Sequence, residues 1–237
     1  MVTRVGITEG GDASRSIETW QEEMSKHGIL HAILITKNPT DEFIEAVKSL
    51  NGAAIVHTTI TGWGGTELEP NVPTPDETCA QIKKVCDAIG KEKVVLRIDP
   101  ILVSPEGERR ARDVYDRMKN VTGRVRISFL DMYPHVRKRM DRVGFKYPTQ
   151  GFHASIFERR RIAEAFPTAD ICGEPGFPCT GCLSETDLKL LGIPKIQWGL
   201  PKKSGQRAEC ACLALKQELI PDRKPCKNSC LYCYWRT

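Results

Sequence analysis

Short apolar runs alternate with amphipathic stretches that open on capping residues, and this alternation confines the chain to a parallel α/β architecture. Val5-Gly6-Ile7 reads as a strand, followed by a helix from about Ser16 that stops at Gly28. Residues 32–35 form the next strand, and Thr40 caps a helix that carries Phe43, Ile44 and Val47. A third strand begins at Ala53-Ala54-Ile55-Val56. Its helix opens on Thr74-Pro75-Asp76-Glu77, with proline at the first helical position and glutamate three residues after the cap. Val94-Val95-Leu96 and Val125-Arg126-Ile127 are two more strands, with a helix over about 106–118 between them. A looser arginine-rich stretch, a helix near 153–165, a strand at Ile171 and a last one at Ile196-Gln197-Trp198 complete the pattern. Repetition of this kind builds βαβ units, in either a barrel or an open sheet.

The strands end on polar residues. They are followed by Thr8-Glu9, Thr36-Lys37, His57-Thr58 through Thr61, Arg97 with Asp99, Ser128 with Asp131, and Cys172. In a βα barrel such tips share one rim, where the chemistry sits. A single polar tip is ordinary turn chemistry, but a run of them predicts a rim. The 237 residues suit one large domain better than two full ones. Residues 1–170 are expected to form the βα-barrel core, and 171–237 a cysteine-rich segment that completes it.

Composition excludes several classes. With 40% hydrophobic and 27% charged residues the chain is not wholly disordered. No apolar run approaches the roughly 20 residues of a membrane helix, so no membrane partner is expected. Met1-Val2-Thr3-Arg4-Val5 lacks the layout of a signal peptide, so the expected location is cytoplasmic. In that reducing compartment ten cysteines do not form five disulfides. Two precede residue 90 and eight crowd between Cys172 and Cys233, which points to metal. Cys79 and Cys86 share a helix face with Ile82 and Ile89, and are expected to pack as small hydrophobes.

Charge is uneven. Segment 104–161 carries 15 Lys plus Arg against 7 Asp plus Glu, so a net +5 chain holds +8 here and −3 elsewhere. Arg109-Arg110-Ala111-Arg112, His135-Val136-Arg137-Lys138-Arg139 and Arg159-Arg160-Arg161 form the excess. A face of this kind suits DNA or RNA, and equally describes charged side chains that only solvate two helices.

The sharpest chemical signal is Cys226-Lys227-Asn228-Ser229-Cys230-Leu231-Tyr232-Cys233. Three thiolates with gaps of three and two can wrap one corner of a 4Fe–4S cubane and leave the fourth iron without a protein ligand. That open iron can take the amine and carboxylate of S-adenosylmethionine, and Tyr232 can pack against its adenine. Zinc would want a fourth protein donor. This CxxxCxxC motif resembles the signature of the radical S-adenosylmethionine superfamily. The remaining Cys172, Cys179, Cys182, Cys210 and Cys212 are read as an auxiliary 4Fe–4S cluster held by Cys172, Cys182, Cys210 and Cys212. A zinc ribbon through Cys179, Cys182, Cys210 and Cys212 is the alternative. In the first assignment Cys179 is left as a spare thiol or a hydrogen-atom donor.

Further segments carry the resemblance. Thr36-Lys37-Asn38-Pro39, Thr58-Thr59-Ile60-Thr61-Gly62, Leu68-Glu69-Pro70-Asn71-Val72-Pro73 and Arg97-Ile98-Asp99-Pro100-Ile101 follow in order. The series is similar to the spore-photoproduct-lyase-like branch of that superfamily. There the cysteine loop opens the barrel, whereas here it stands four residues from Thr237. With Gly205-Gln206-Arg207 before Cys210-Ala211-Cys212, the layout resembles a circularly permuted radical S-adenosylmethionine family. The implied fold is a partial or full (β/α) TIM-like barrel, circularly permuted, with a cysteine-rich C-terminal segment.

The resemblance implies an enzyme in which a 5′-deoxyadenosyl radical acts on substrate, fed by a reductase or flavodoxin-type electron donor. Glu9, Gly10 and Gly11 are the candidates for the methionine end, although they also read as a plain turn. Thr58, Thr61, Arg97, Asp99, Ser128 and Asp131 are candidates to orient ribose, carboxylate or substrate. Arg97 and Asp99 are the catalytic choices together with Cys179, and an Arg–Asp pair that only stiffens the rim is the bland alternative. Lyase or isomerase chemistry on a thymine-derived base in DNA is the specific expectation. A radical enzyme acting on a small metabolite or peptide, and a non-catalytic zinc-stabilised nucleic-acid-binding protein, are the alternatives.

Overall fold

The structure, a computed structural model, describes residues 3–147, 151–198, 208–222 and 226–236. Among these residues seven strands form one all-parallel sheet: β1 (Val5–Ile7), β2 (His31–Thr36), β3 (Ala54–Thr59), β4 (Val94–Ile101), β5 (Arg124–Phe129), β6 (Ala169–Ile171) and β7 (Lys216–Glu218). Their order is β6-β5-β4-β3-β2-β1-β7, so strands 1 to 5 each lie beside their successor, and β7 lies on the free side of β1 at the edge opposite β6.

The helices are α1 (Ile17–His27), α2 (Asp41–Lys48), α3 (Pro75–Ile89), α4 (Pro105–Met118), α5 (Pro134–Arg142), α6 (Ile156–Ala163) and α7 (Glu185–Leu190). Their starts follow from local chemistry. The Thr40 hydroxyl accepts from the Phe43 amide at 3.2 Å, and Thr74 with Glu77 forms a reciprocal capping box. Ser104, Ser155 and Ser184 cap α4, α6 and α7 in the same manner. Gly28, at φ 61°, ends α1 in the left-handed conformation that glycine adopts without a Cβ penalty.

Successive crossovers running in one direction place helices on one face of a parallel sheet. That face holds the larger core, where Leu34, Val56, Leu96 and Ile127 meet Phe43, Ile82 and Val114. Cys79 is buried in it and Cys86 is half-buried against it. The opposite face is also covered. There Ile7, Ile33, Ile55 and Val95 pack against Leu183, Leu188, Leu191, Ile193 and Trp198 from the C-terminal segment. A parallel sheet buried on both sides explains the nearly continuous apolar runs of β2 and β3.

Three elements depart from the sequence-based expectation. Ile196-Gln197-Trp198 is not a strand. Lys195–Gln197 is a 3₁₀ turn that leaves Ile196 exposed, while the Trp198 indole donates to the Ile193 carbonyl at 2.8 Å and seals the second core. The arginine-rich stretch contains α5. The polar Lys216-Gln217-Glu218 is a strand because the edge of β1 gives its backbone a partner. Among the described residues no helix is long and apolar enough to cross a membrane.

Candidate functional site

A cavity of about 260 Å³ opens at the strand tips. Seven cysteines line it: Cys226, Cys230 and Cys233 from the terminal motif, and Cys172, Cys182, Cys210 and Cys212 from the preceding segment. The two sets, separate in sequence, therefore face one space together with Glu9, Gly10, Gly11, Arg97, Asp99, Ser128, Asp131 and Tyr232.

The terminal loop is clamped from several sides. Buried Asp12 accepts from the Thr36 hydroxyl at 2.7 Å, the Lys37 amide at 2.8 Å and the Asn228 side chain at 2.7 Å. Arg15 holds the other end of the Asn228 amide at 2.6 Å. The Leu231 amide donates to Leu68 at 3.0 Å, and Asn71 donates to the Lys227 carbonyl at 2.8 Å. Arg139 donates to the carbonyls of Leu231, Cys233 and Arg236 at once. These contacts hold Ser229 at φ 54°, a left-handed conformation unusual for a side chain of its kind.

Next to the loop, Lys37 reaches Glu69 at 2.8 Å and the Tyr232 hydroxyl at 3.0 Å. Tyr232 also donates to Glu69, whose other oxygen accepts from Thr61 at 2.8 Å. The Tyr232 phenol is thus tethered while the residue lines the cavity. Burial pushes the Cys230 thiol up to about 12, against the pull of Lys37. A thiol so placed ionises when a metal supplies the countercharge, and three sulfurs on a clamped loop fit a metal–sulfur group.

The second set is more tightly packed. Cys172 and Cys182 stand 3.9 Å apart at sulfur, and the Cys182 amide donates to the Cys212 sulfur at 3.0 Å. Hydrogen bonds from Cys172 and then Cys212 hold Cys182 well below the usual thiol range. Gly181 permits this crossing, since a Cβ there would lie 2.4 Å from the Cys212 backbone. The Glu9 carboxylate comes within 4.8 Å of the Cys182 and Cys212 sulfurs, and these three side chains could hold a metal ion. A donor set dominated by sulfur suits zinc or an iron–sulfur group.

Not every expected residue serves the cavity as the sequence suggested. Glu9 is paired with Lys216 at 2.8 Å. The Glu9 and Gly10 amides donate to Glu218 at 3.1 and 3.0 Å, and a Cβ on Gly10 would meet the Ile220 carbonyl at 2.3 Å. Glycine is therefore required at Gly10 by the C-terminal segment. Arg97, Asp99 and Ser128 form one chain in which Asp99 accepts from both neighbours, and Asp131 is held by His153 at 2.7 Å. Thr58 lies outside the cavity lining and donates to the Val95 carbonyl, because strand alternation turns its neighbour Thr59 inward instead. Thr61 stands behind Glu69. Cys179 also lies outside the lining: its sulfur is bound up in the turn of Glu174 and Phe177.

Asp12, Lys37, Glu69 and Asn228 are the site residues that the sequence reading left without a role. Lys37 and Glu69 did stand in quoted motifs, whereas nothing local marked Asp12. Three members of the basic segment are internal: Arg139 holds the cysteine loop, Arg126 is buried on β5, and buried Arg159 pairs with Glu174 at 2.9 Å. Lys138, Arg160 and Arg161 are exposed, and Arg161 pairs with Glu108 at 2.8 Å. Gly205-Gln206-Arg207 lies outside the described residues.

Residues 13–235 match the model of the family described as Domain of unknown function (DUF1848). The chain belongs to that family. No curated protein and no solved structure matches it. The DUF1848 match spans the tips of β2 to β6, the clamped loop and both cysteine sets, and leaves out of the cavity lining only Thr8 to Asp12 and Arg236.

Proposed function

We propose that the chain is a radical S-adenosylmethionine enzyme whose sheet is a circularly permuted, partial (β/α) barrel. The supporting observation is the convergence of CxxxCxxC and a second cysteine set on one cavity at the strand tips. Strand order supports the barrel, because β1 to β6 advance in one direction without a switch point and β7 lies on the free side of β1, where a closing strand would stand. Cys226, Cys230 and Cys233 would hold a 4Fe–4S cluster, and Cys172, Cys182, Cys210 and Cys212 an auxiliary group. When bound, the cluster supplies one electron that cleaves S-adenosylmethionine to a 5′-deoxyadenosyl radical, which abstracts hydrogen from substrate.

The protein's own contribution is placement. The Arg97 guanidinium, steadied by Asp99, is suited to a carboxylate at the rim. Glu9 would have to exchange Lys216 to receive an ammonium. The Tyr232 ring, fixed through its hydroxyl, offers a face for a planar base. Arg139 and Asn228 keep the loop in position, so little ordering remains to be done on binding.

A nucleobase remains the proposed substrate class, and lyase or isomerase chemistry the proposed reaction. Tyr133, Phe152 and Tyr234 support it: Tyr133 stacks on Tyr234 with centroids 5.8 Å apart, and both Phe152 and Tyr234 are exposed. Such faces accept unstacked bases. If exposed Lys138 and Arg160 contact phosphate, affinity should fall with salt at a log–log slope of about −0.9 per contact. The double change to alanine should then flatten the slope by nearly two, which filter binding across a salt series measures. Absence of affinity at low salt would remove nucleic acid and leave the radical chemistry.

The decisive experiment is anaerobic purification, metal and sulfide analysis, then incubation with S-adenosylmethionine and dithionite. About eight irons and eight sulfides per chain are expected for two cubanes, together with 5′-deoxyadenosine. Colourless protein carrying zinc at both sets would end this reading.

A further inference from the structure

Beneath the second cysteine set the sheet carries polar groups that a dry apolar core would not tolerate. Arg126, on β5, is 1% exposed, and its Nε and both terminal nitrogens make no hydrogen bond among the described residues. Its nearest carboxylate, Asp170, stands 3.8 Å away and is itself half exposed. Arg97 is its direct partner in the β4–β5 register, so two guanidinium groups rise from adjacent positions. Asp99 balances Arg97 in part, yet the Arg97 Nε also has no hydrogen-bond partner among the described residues. His57, on β3, is fully buried, and among the described residues its ring meets no oxygen or nitrogen partner, only the Cys182 thiol.

Placement gives these groups a common direction. His57 stands beside Cys182 and within electrostatic reach of Arg126 and Arg97. Arg97 in turn is within reach of Cys182 and Cys172. Like charges side by side on neighbouring strands are unfavourable, and buried donors without acceptors are more so. An occupant rich in negative charge and sulfur lone pairs removes both penalties.

We propose that His57, Arg97 and Arg126 form a donor floor for an anionic thiolate–metal group held by Cys172, Cys182, Cys210 and Cys212. This rests on the reading of that set as a metal site. Four thiolates around a metal centre leave surplus negative charge, and the floor provides cationic and N–H groups that offset it. Arg126 and His57 are positioning residues here: neither is among the residues that line the cavity, and they act through Arg97 and Cys182, which are. The floor makes the metal-free protein less stable than it would be with apolar groups, and makes the loaded site more retentive.

That opposition of signs is the test. The background is the full chain with Cys226, Cys230 and Cys233 replaced by alanine, so that only the second set can hold metal. Iron, zinc and sulfide per chain are measured after anaerobic purification, then metal release is timed in EDTA and bipyridyl. Arg126→Met should shorten the release half-life at least tenfold, and His57→Leu should shorten it in the same direction. Arg126→Lys should retain most of the wild-type half-life. In the metal-free state Arg126→Met should raise the thermal unfolding midpoint, because a buried unpartnered charge is gone. A purely structural arginine would instead lower that midpoint. Metal retained equally in every floor variant overturns the floor and leaves the metal site standing. Background protein with no metal overturns the metal reading, and the floor with it. Failure of both Arg126→Met and His57→Leu to fold contradicts the expected sign and also overturns the proposal.

Discussion

Single replacement of Cys226, Cys230 or Cys233 by alanine is expected to abolish reductive cleavage of S-adenosylmethionine. Each residue would supply one of three protein ligands, so removal of any one leaves two sulfurs on a loop that no longer closes around a cubane. The loss should be complete, with 5′-deoxyadenosine below detection. Iron should fall by about one cluster's worth, near four atoms per chain. The fold should survive, because the loop is anchored by Asn228, Leu231 and Arg139 rather than by its sulfurs. Circular dichroism and unfolding curves close to wild type would separate loss of the cluster from loss of structure. A purified single mutant with full activity would exclude the assignment.

Glu69→Ala is expected to give the largest stability loss of any single change at the site. The carboxylate is 1% exposed and receives Lys37, Tyr232 and Thr61. Removing it strands a lysine and two hydroxyls in a space with little water. Breaking a buried pair in this way costs about 3–5 kcal/mol. Glu69→Gln should recover part of that loss, since an amide oxygen still accepts from Tyr232 or Thr61, but Lys37 then lacks its counterion. Urea unfolding of the three proteins measures the order wild type, Gln, Ala. The same series should lower iron retention, because Tyr232 lies between Cys230 and Cys233. A loss below 1 kcal/mol in the alanine variant would mean that the cluster of contacts is not a unit.

Much of the architecture was legible because its signals are local. Caps such as Thr40 and Thr74 sit where hydroxyls must satisfy exposed amides, and apolar runs such as 54–56 have few alternatives to a buried strand. α5 was obscured because its buried face consists of Val136 and Met140 only, among arginines and lysine. β7 was invisible because Lys216, Gln217 and Glu218 have no strand pattern of their own. Ile196 misled for the opposite reason: an apolar residue in a turn resembles a strand until its exposure is known.

The site divides along the same line. The spacing of Cys226, Cys230 and Cys233 is a property of eight consecutive residues, so the chain by itself carries the proposal that these sulfurs share one metal group. The alternation of strands and capped helices likewise determined a parallel α/β sheet with polar tips. Tertiary structure alone decided that Cys172, Cys182, Cys210 and Cys212 share a cavity with that loop, that Asp12 grips Asn228, and that Arg139 clamps the loop carbonyls. It also decided that Thr58 faces away while Thr59 faces in, and that His57 and Arg126 lie buried under the cysteines. Such contacts join segments far apart in the chain, and depend on strand order, register and side-chain direction, none of which a local pattern encodes.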